Sequence, residues 1–367
     1  MTRKQKVQST QSKSVNFRWT KDTGSFNLQA LILIIIGLVF YSNSFFNEYA
    51  LDDGIVIQKN EYVQEGFKGI SKILTTDAYD SFYKQMNAGQ QLSGGRYRPL
   101  SIVTFAIEQQ LFGKKRIKQD ERPSVELSTL RHVVNVLFYI LSVVVLLFFL
   151  REFVFKNNPF IAFVTALLFL IHPIHTEVVA NVKSRDEILS FLFIILTFIK
   201  SFRYWETKER KQLFTGLFYY FMALLSKEYA ITLVVLIPML WYIKKNSSFK
   251  EVFVSSLPFL IIAGLYLLIR FSVVGRGANM ENPDVLNNPF KFAAPDEKWA
   301  TKIEILNHYL RLLFYPKPLS SDYSYSTIPY TDFSDSKVWL SIIIHLSMVA
   351  ATIILFLKRN IIAFALA

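Results

Sequence analysis

The sequence predicts an all-α polytopic membrane protein, and three observations carry that prediction. Hydrophobic residues make up 52% of the 367, with 34 Phe among them, far more than a soluble domain of this size needs. The apolar residues come in blocks of roughly 20, the length that crosses a bilayer as a helix. Much of the net charge of +13 lies in short loops between those blocks, which marks topology rather than nucleic-acid binding. There is no Cys, which excludes disulfides, Cys-ligated zinc and a thiol nucleophile. The N-terminus has no small-residue cleavage site, so the first apolar run reads as a retained span.

The elements follow in chain order. A basic tail, residues 1–25, carries Arg3, Lys4, Lys6, Lys13, Arg18 and Lys21 and is expected in the cytoplasm. Residues 26–357 are expected to form one multi-span membrane domain. Its spans fall at about 26–46, 133–154, from Phe160 onward, 187–204, 213–225, 230–243, 252–274 and 338–357. Residues 358–367 give a cytoplasmic turn and the opening of a ninth span at Ile361, cut short as though the chain were a fragment. Each inside loop of this layout is basic. Two outside loops are long, 47–131 and 275–337. The first contains two stretches with helical spacing of apolar residues: Phe67, Ile70, Ile73 and Leu74, then Leu100, Val103, Ile107 and Leu111. Such amphipathic helices lie along a membrane surface or pack within an ordinary loop.

Three polar clusters border the spans, all on the expected outer side. The first is Asp52-Asp53 in YALDDGIVI, the second IHPIHTEVVANVKSRDE, and the third SKE at 226–228. Neighbouring carboxylates diverge on a helix and on a strand, so Asp52 and Asp53 are not expected to share one job. Too few apolar residues precede His172 to cross a bilayer, so HPIHTEVV belongs in the outer part of the membrane or in a cavity open to it. His172 and His175, with Glu177 nearby, suggest a metal site or hydrogen bonding at a kink. Pro173 disrupts the helix between the two histidines, and the spacing matches no strong zinc pattern, leaving a divalent metal as the lesser reading. Arg98, Arg185 and Lys227 are cations on the same side. They either snorkel to headgroups or converge on a phosphate.

These parts fit a group transfer from a lipid-linked sugar phosphate. The phosphate is already a good leaving group. The site then needs one carboxylate to activate an acceptor hydroxyl and cations to stabilise the departing phosphate. No further cofactor is called for. A single displacement of this kind inverts the anomeric centre.

Five strings occur in an order that resembles the transmembrane, tetratricopeptide-repeat-containing O-mannosyltransferases of the GT-C glycosyltransferase superfamily and their bacterial homologues. They are FNEYALDDGIVI, RYRPLSIVTF, LFLIHPIHTEVVANVKSRDEILS, LLSKEYAITL and YLRLLFYPKPLSSDYSYSTIP, together covering about Phe46 to Pro329. The resemblance implies a GT-C-like helical bundle with its site on the outer face. It implies a polyprenyl-phosphate sugar as donor, with mannose expected, and Ser or Thr hydroxyls of a protein as acceptor. Carried over residue by residue, it implies Asp52 as base with Asp53 in support. Arg98, Arg185 and Lys227 become donor-phosphate candidates, and His172, His175, Glu177, Glu187 and Glu228 shape the pocket. The chain departs from the family in having no repeat segment after the membrane domain. It also has Lys183-Ser184-Arg185-Asp186-Glu187 where a Gly-Arg-Ala-Glu pattern is expected. The expected partners are lipid-linked donor, protein acceptor and bilayer, with no nucleic acid. The expected location is a bacterial inner membrane, active face outside the cytoplasm. The alternatives are a GT-C transferase acting on a lipid or envelope glycan and, more distantly, a transporter or flippase. A transporter would place its polar groups near the midplane, often in repeated halves.

Overall fold

The computed structural model describes residues 24–85, 95–113, 125–245, 247–275, 288–320, 323 and 327–367. Nearly all of the basic tail and parts of both long loops fall outside the described residues. The longer helices are α1 (Phe26–Tyr41), α2 (Pro99–Phe112), α3 (Val125–Phe149), α4 (Pro159–Ile171), α5 (Arg185–Thr207), α6 (Arg210–Ser226), α7 (Leu233–Lys245), α8 (Phe249–Val274), α9 (Pro295–Phe314) and α10 (Ser336–Leu357). Short helical turns fill the first loop, and no strand occurs among the described residues.

Five helical stretches are long and apolar enough to cross a membrane: Phe26–Phe46, Leu127–Val154, Val182–Thr207, Phe249–Val274 and Ser336–Leu357. A bent pair, Pro159–Ile171 with Pro173–Ala180, adds a sixth. The chain is an integral multi-pass membrane protein. The apolar runs at 213–225 and 230–243 are helical as well. At 17 and 13 residues, however, α6 and α7 are shorter than the roughly 20 residues of a straight span. Beyond α10, Ile362–Leu366 makes a short turn of helix, and Phe364 packs edge-on against Phe198 of α5 at 5.7 Å between ring centroids.

The breaks have local causes. Asn158 caps α4 by accepting from the Ile161 amide at 3.2 Å, and Pro159 fits the first helical position, where no N–H is needed. Pro173 cannot continue α4, and the chain bends there by 49°. α5 ends where Lys208 takes a left-handed conformation, and α6 returns along it. Close contact between α1 and α3 depends on Gly37, where an added Cβ would sit 2.7 Å from Ile140 Cγ1.

The core joins α1, α3, α4, α5, α6, α7 and α8 through fully buried side chains such as Leu33, Leu147, Leu170, Tyr220 and Trp241. Large apolar side chains such as Val39, Leu168, Ile261 and Leu268 cover the outside, as a hydrocarbon solvent requires. The same inversion explains α2. The stripe marked by its sequence, Leu100, Val103, Ile107 and Leu111, is half-buried to exposed, available for lipid to cover. The buried face carries Ser101, Ile102, Phe105, Ala106 and Glu108, because polar groups next to a membrane turn inward to find partners.

Candidate active site

The Asp pair sits in a tight turn. The Ala50 amide donates to Asp53 Oδ2 at 3.1 Å, and the Asp53 amide returns to the Ala50 carbonyl at 3.0 Å. Between them Leu51 adopts φ 49°, a left-handed conformation that costs a non-glycine residue about 1–3 kcal/mol. The turn sends the two carboxylates apart. Asp53 is 1% exposed, and its Oδ1 accepts from the Lys183 amide at 2.6 Å, stapling the first long loop to the segment before α5. Burial pushes the Asp53 carboxyl above the usual range, against the pull of the backbone amides of Ala50 and Lys183.

Asp52 faces the other way, with 46% of its side chain exposed. The Tyr79 hydroxyl donates to Asp52 Oδ2 at 2.8 Å, and Lys183 Nζ stands 3.8 Å from the same oxygen. No described residue donates to Oδ1. Burial, then the Asp52 charge, raises the Tyr79 phenol, so it remains a hydroxyl donor. Beside this pair lies a shallow cleft, with a cavity volume of about 10 Å³, the room of a single water, lined by Tyr79, Arg96, Arg98, Lys183 and Asp186 among others. Arg96 stacks on the Tyr79 ring, its guanidinium carbon 4.6 Å from the centroid.

Arg98 ties three elements together. Its Nε and Nη2 donate to the two oxygens of Glu228 at 3.0 and 2.7 Å, and Nη1 donates to Asp186 at 2.9 Å. Lys227 pairs with Glu187 and lies 4.0 Å from Asp186. Arg98, Lys227, Glu187 and Glu228 are therefore brought together, with Asp186 as the bridge. Burial alone would raise the Glu228 carboxyl, but the Arg98 hydrogen bonds and charge overcome it and hold it at about 2. The sign follows. The folded pKa is below the unfolded one, so the pairing stabilises the fold above about pH 4.5 and is lost as pH falls toward 2. Melting temperatures of the parent and Glu228→Gln are expected to differ by a constant amount at neutral pH. The gap should close between those two values.

Four of the expected site residues lie elsewhere. Arg185 is fully buried and satisfied by the protein, which corrects its assignment to a donor phosphate. It donates to Asn135 Oδ1 at 2.6 Å, to Thr104 at 3.0 Å, to Glu108 and to the Arg131 carbonyl at 3.1 Å. Glu108 also accepts from Arg131 at 3.3 Å, while Arg131 donates to the Tyr49 hydroxyl at 2.6 Å. This buried Arg131–Glu108–Arg185 knot locks α2, α3 and α5 beneath the cleft. His172 and His175 hold the bend rather than the cleft, a correction to their place in the pocket. His172 Nδ1 accepts from the Ile174 amide at 3.3 Å, leaving Nε2 to donate to the Leu313 carbonyl at 3.0 Å. His175 Nδ1 lies 2.8 Å from the Phe169 carbonyl and 3.1 Å from the Tyr139 hydroxyl. Glu177 is exposed, accepts from the Ser184 hydroxyl at 3.4 Å and feels the charges of Lys183 and Lys227, but it does not line the cleft. Among the described residues, no group of three or more His, Asp or Glu side chains could hold a metal ion.

Tyr79, Arg96, Lys183 and Asp186 at the cleft, and Glu108 and Arg131 in the buried knot, were not among the expected site residues. Glu108 had a usable signal, a lone carboxylate on the apolar run IVTFAIEQQLF. Tyr79 had none, because only the fold of the first loop brings it to Asp52.

Residues of this chain are 32% identical to human "Protein O-mannosyl-transferase TMTC1" over 46% of this chain and 17% of that protein. Mouse "Protein O-mannosyl-transferase TMTC3" is 29% identical over 47% of this chain and 16% of its own length. The longer match, to "Protein O-mannosyl-transferase F38B6.6" of Caenorhabditis elegans, is 25% identical over 81% of this chain and 39% of that protein. The matches thus span well under half the length of these curated relatives. No family model matches the chain. No solved structure matches it.

Proposed function

We propose that this chain transfers mannose from a polyprenyl-phosphate donor to Ser or Thr hydroxyls of protein, on the extracytoplasmic face, by a single inverting displacement. The observation that carries the reading is the Asp52 carboxylate, held at one oxygen by Tyr79 with the other oxygen open, beside a cleft lined by Arg96, Arg98 and Lys183. The relatives named protein O-mannosyl-transferases support the reaction class.

In this reading Asp52 Oδ1 takes the proton of the acceptor hydroxyl as its oxygen attacks the anomeric carbon. The bond from that carbon to the donor phosphate oxygen breaks, and its electron pair leaves with the phosphate. Lys183 and Arg96 stabilise the developing charge. Arg98 already has its fork on Glu228, so it acts by holding Asp186 and the Lys227 segment in place. Tyr79 is a positioning residue. Its hydroxyl fixes the rotamer of Asp52 without touching substrate. Tyr79→Phe keeps the ring and the Arg96 stack, but loses a hydrogen bond to a charged group worth about 1.5 kcal/mol or more. A fall in kcat of about tenfold is expected, with the donor KM unchanged.

The reading is tested by incubating membranes containing the full chain with labelled polyprenyl-phosphate mannose. Label is expected in protein, released by chemistry specific for O-linked sugar. Label confined to lipid or envelope glycan would replace the acceptor, and donor crossing the bilayer without transfer would replace the reaction.

A further inference from the structure

A second polar cavity, of about 480 Å³, opens at the far end of the bundle. Glu206, which lines it, stands about 30 Å from Arg185 along α5 at 1.5 Å per residue, close to a hydrocarbon thickness from the candidate active site. Its apolar wall includes Phe153 and Phe202, stacked with ring centroids 5.0 Å apart. Lys156 and Lys244 line it against the single carboxylate of Glu206. Asn157 and Asn158 complete the polar part of the lining. Two cations against one carboxylate favour an anion, and aromatic walls at the level of a bilayer surface favour one attached to hydrocarbon.

We infer that this cavity binds the phosphate headgroup of an anionic phospholipid. A free phosphate ion has the same charge chemistry but would gain nothing from the aromatic wall. The site is independent of the transfer reaction proposed above, and its test does not depend on activity.

The experiment titrates the full chain, delipidated in neutral detergent, with phosphatidylglycerol or phosphatidylcholine and reads bound lipid by native mass spectrometry. Phosphatidylglycerol is expected to bind preferentially. The double variant Lys156→Gln with Lys244→Gln should weaken it about 30-fold, since each lysine close to an anionic lipid is worth about 1 kcal/mol. Lys156→Arg with Lys244→Arg should retain binding, which separates lost charge from lost fold. Lys208→Gln with Lys250→Gln, which removes two lysines outside the cavity, should leave it unchanged. Equal binding of the two lipids would overturn the proposal. So would an equal loss in the Lys208/Lys250 variant, which would mean diffuse surface charge, or displacement of the lipid by millimolar inorganic phosphate, which would mean a free-anion site.

Discussion

Asp52→Asn is expected to lower kcat by a factor of about 10²–10⁴ while leaving the protein folded. Asparagine keeps the size of the side chain and still accepts from the Tyr79 hydroxyl, but it cannot take a proton from an acceptor. The side chain is 46% exposed and, among the described residues, meets Tyr79 and Lys183, so little of the fold depends on its charge. Asp53→Asn provides the contrast. Asp53 is 1% exposed and joins two segments through the amides of Ala50 and Lys183. An amide side chain offers one acceptor oxygen to those two donors, which leaves a buried N–H unsatisfied at a cost of about 1–3 kcal/mol. Asp53→Asn should therefore lower the melting temperature more than Asp52→Asn does, and Asp52→Asn should lower the rate more than Asp53→Asn. Turnover of labelled donor alongside thermal unfolding of the same preparations checks both halves. Equal rate losses in the two variants would remove the distinction on which the role of Asp52 rests.

Glu108→Gln should produce the largest loss of stability. Arg131 and Arg185 are both fully buried, and Glu108 is the one carboxylate that pairs with them among the described residues. Neutralising it leaves two guanidinium groups facing each other without a counter-charge. Breaking a buried pair by removing one partner costs about 3–5 kcal/mol. Removing charge from both sides should cost less. The double variant Glu108→Gln with Arg185→Met is expected to unfold at a higher temperature than Glu108→Gln alone, a coupling that a double-mutant cycle reads directly. Additive losses would mean that the knot is ordinary packing rather than a charge-coupled lock on α2, α3 and α5.

Much of the membrane architecture was legible because hydrocarbon imposes it on the sequence. The runs at 26–46, 252–274 and 338–357 are apolar on the side that meets lipid, and their helices fall almost where the runs do. The second span was placed at 133, yet it begins at Leu127. Arg131 and His132 made those first turns look like loop. The polarity of Arg131 and Asn135 is instead met from within, by Glu108 on α2 and Arg185 on α5. The Pro173 break was readable for the same local reason that produces the bend. Which arginine faces the cleft was not readable. Arg98 and Arg185 both follow polar strings, and only the placement of Glu108 and Thr104 opposite Arg185 decides that it points into the core. The opposite orientations of Asp52 and Asp53 follow from adjacency alone, but which of them would be open depended on the loop that carries Tyr79.

The binding position of the donor's phosphate tests the role of Asp52 most directly. A structure of the full chain with a non-reactive polyprenyl-phosphate mannose analogue should place the phosphate within hydrogen-bonding distance of Lys183 and Arg96, with the anomeric carbon turned toward Asp52. Phosphate found at the far end of α5, or a sugar beyond the reach of Asp52 even through one water, would contradict it.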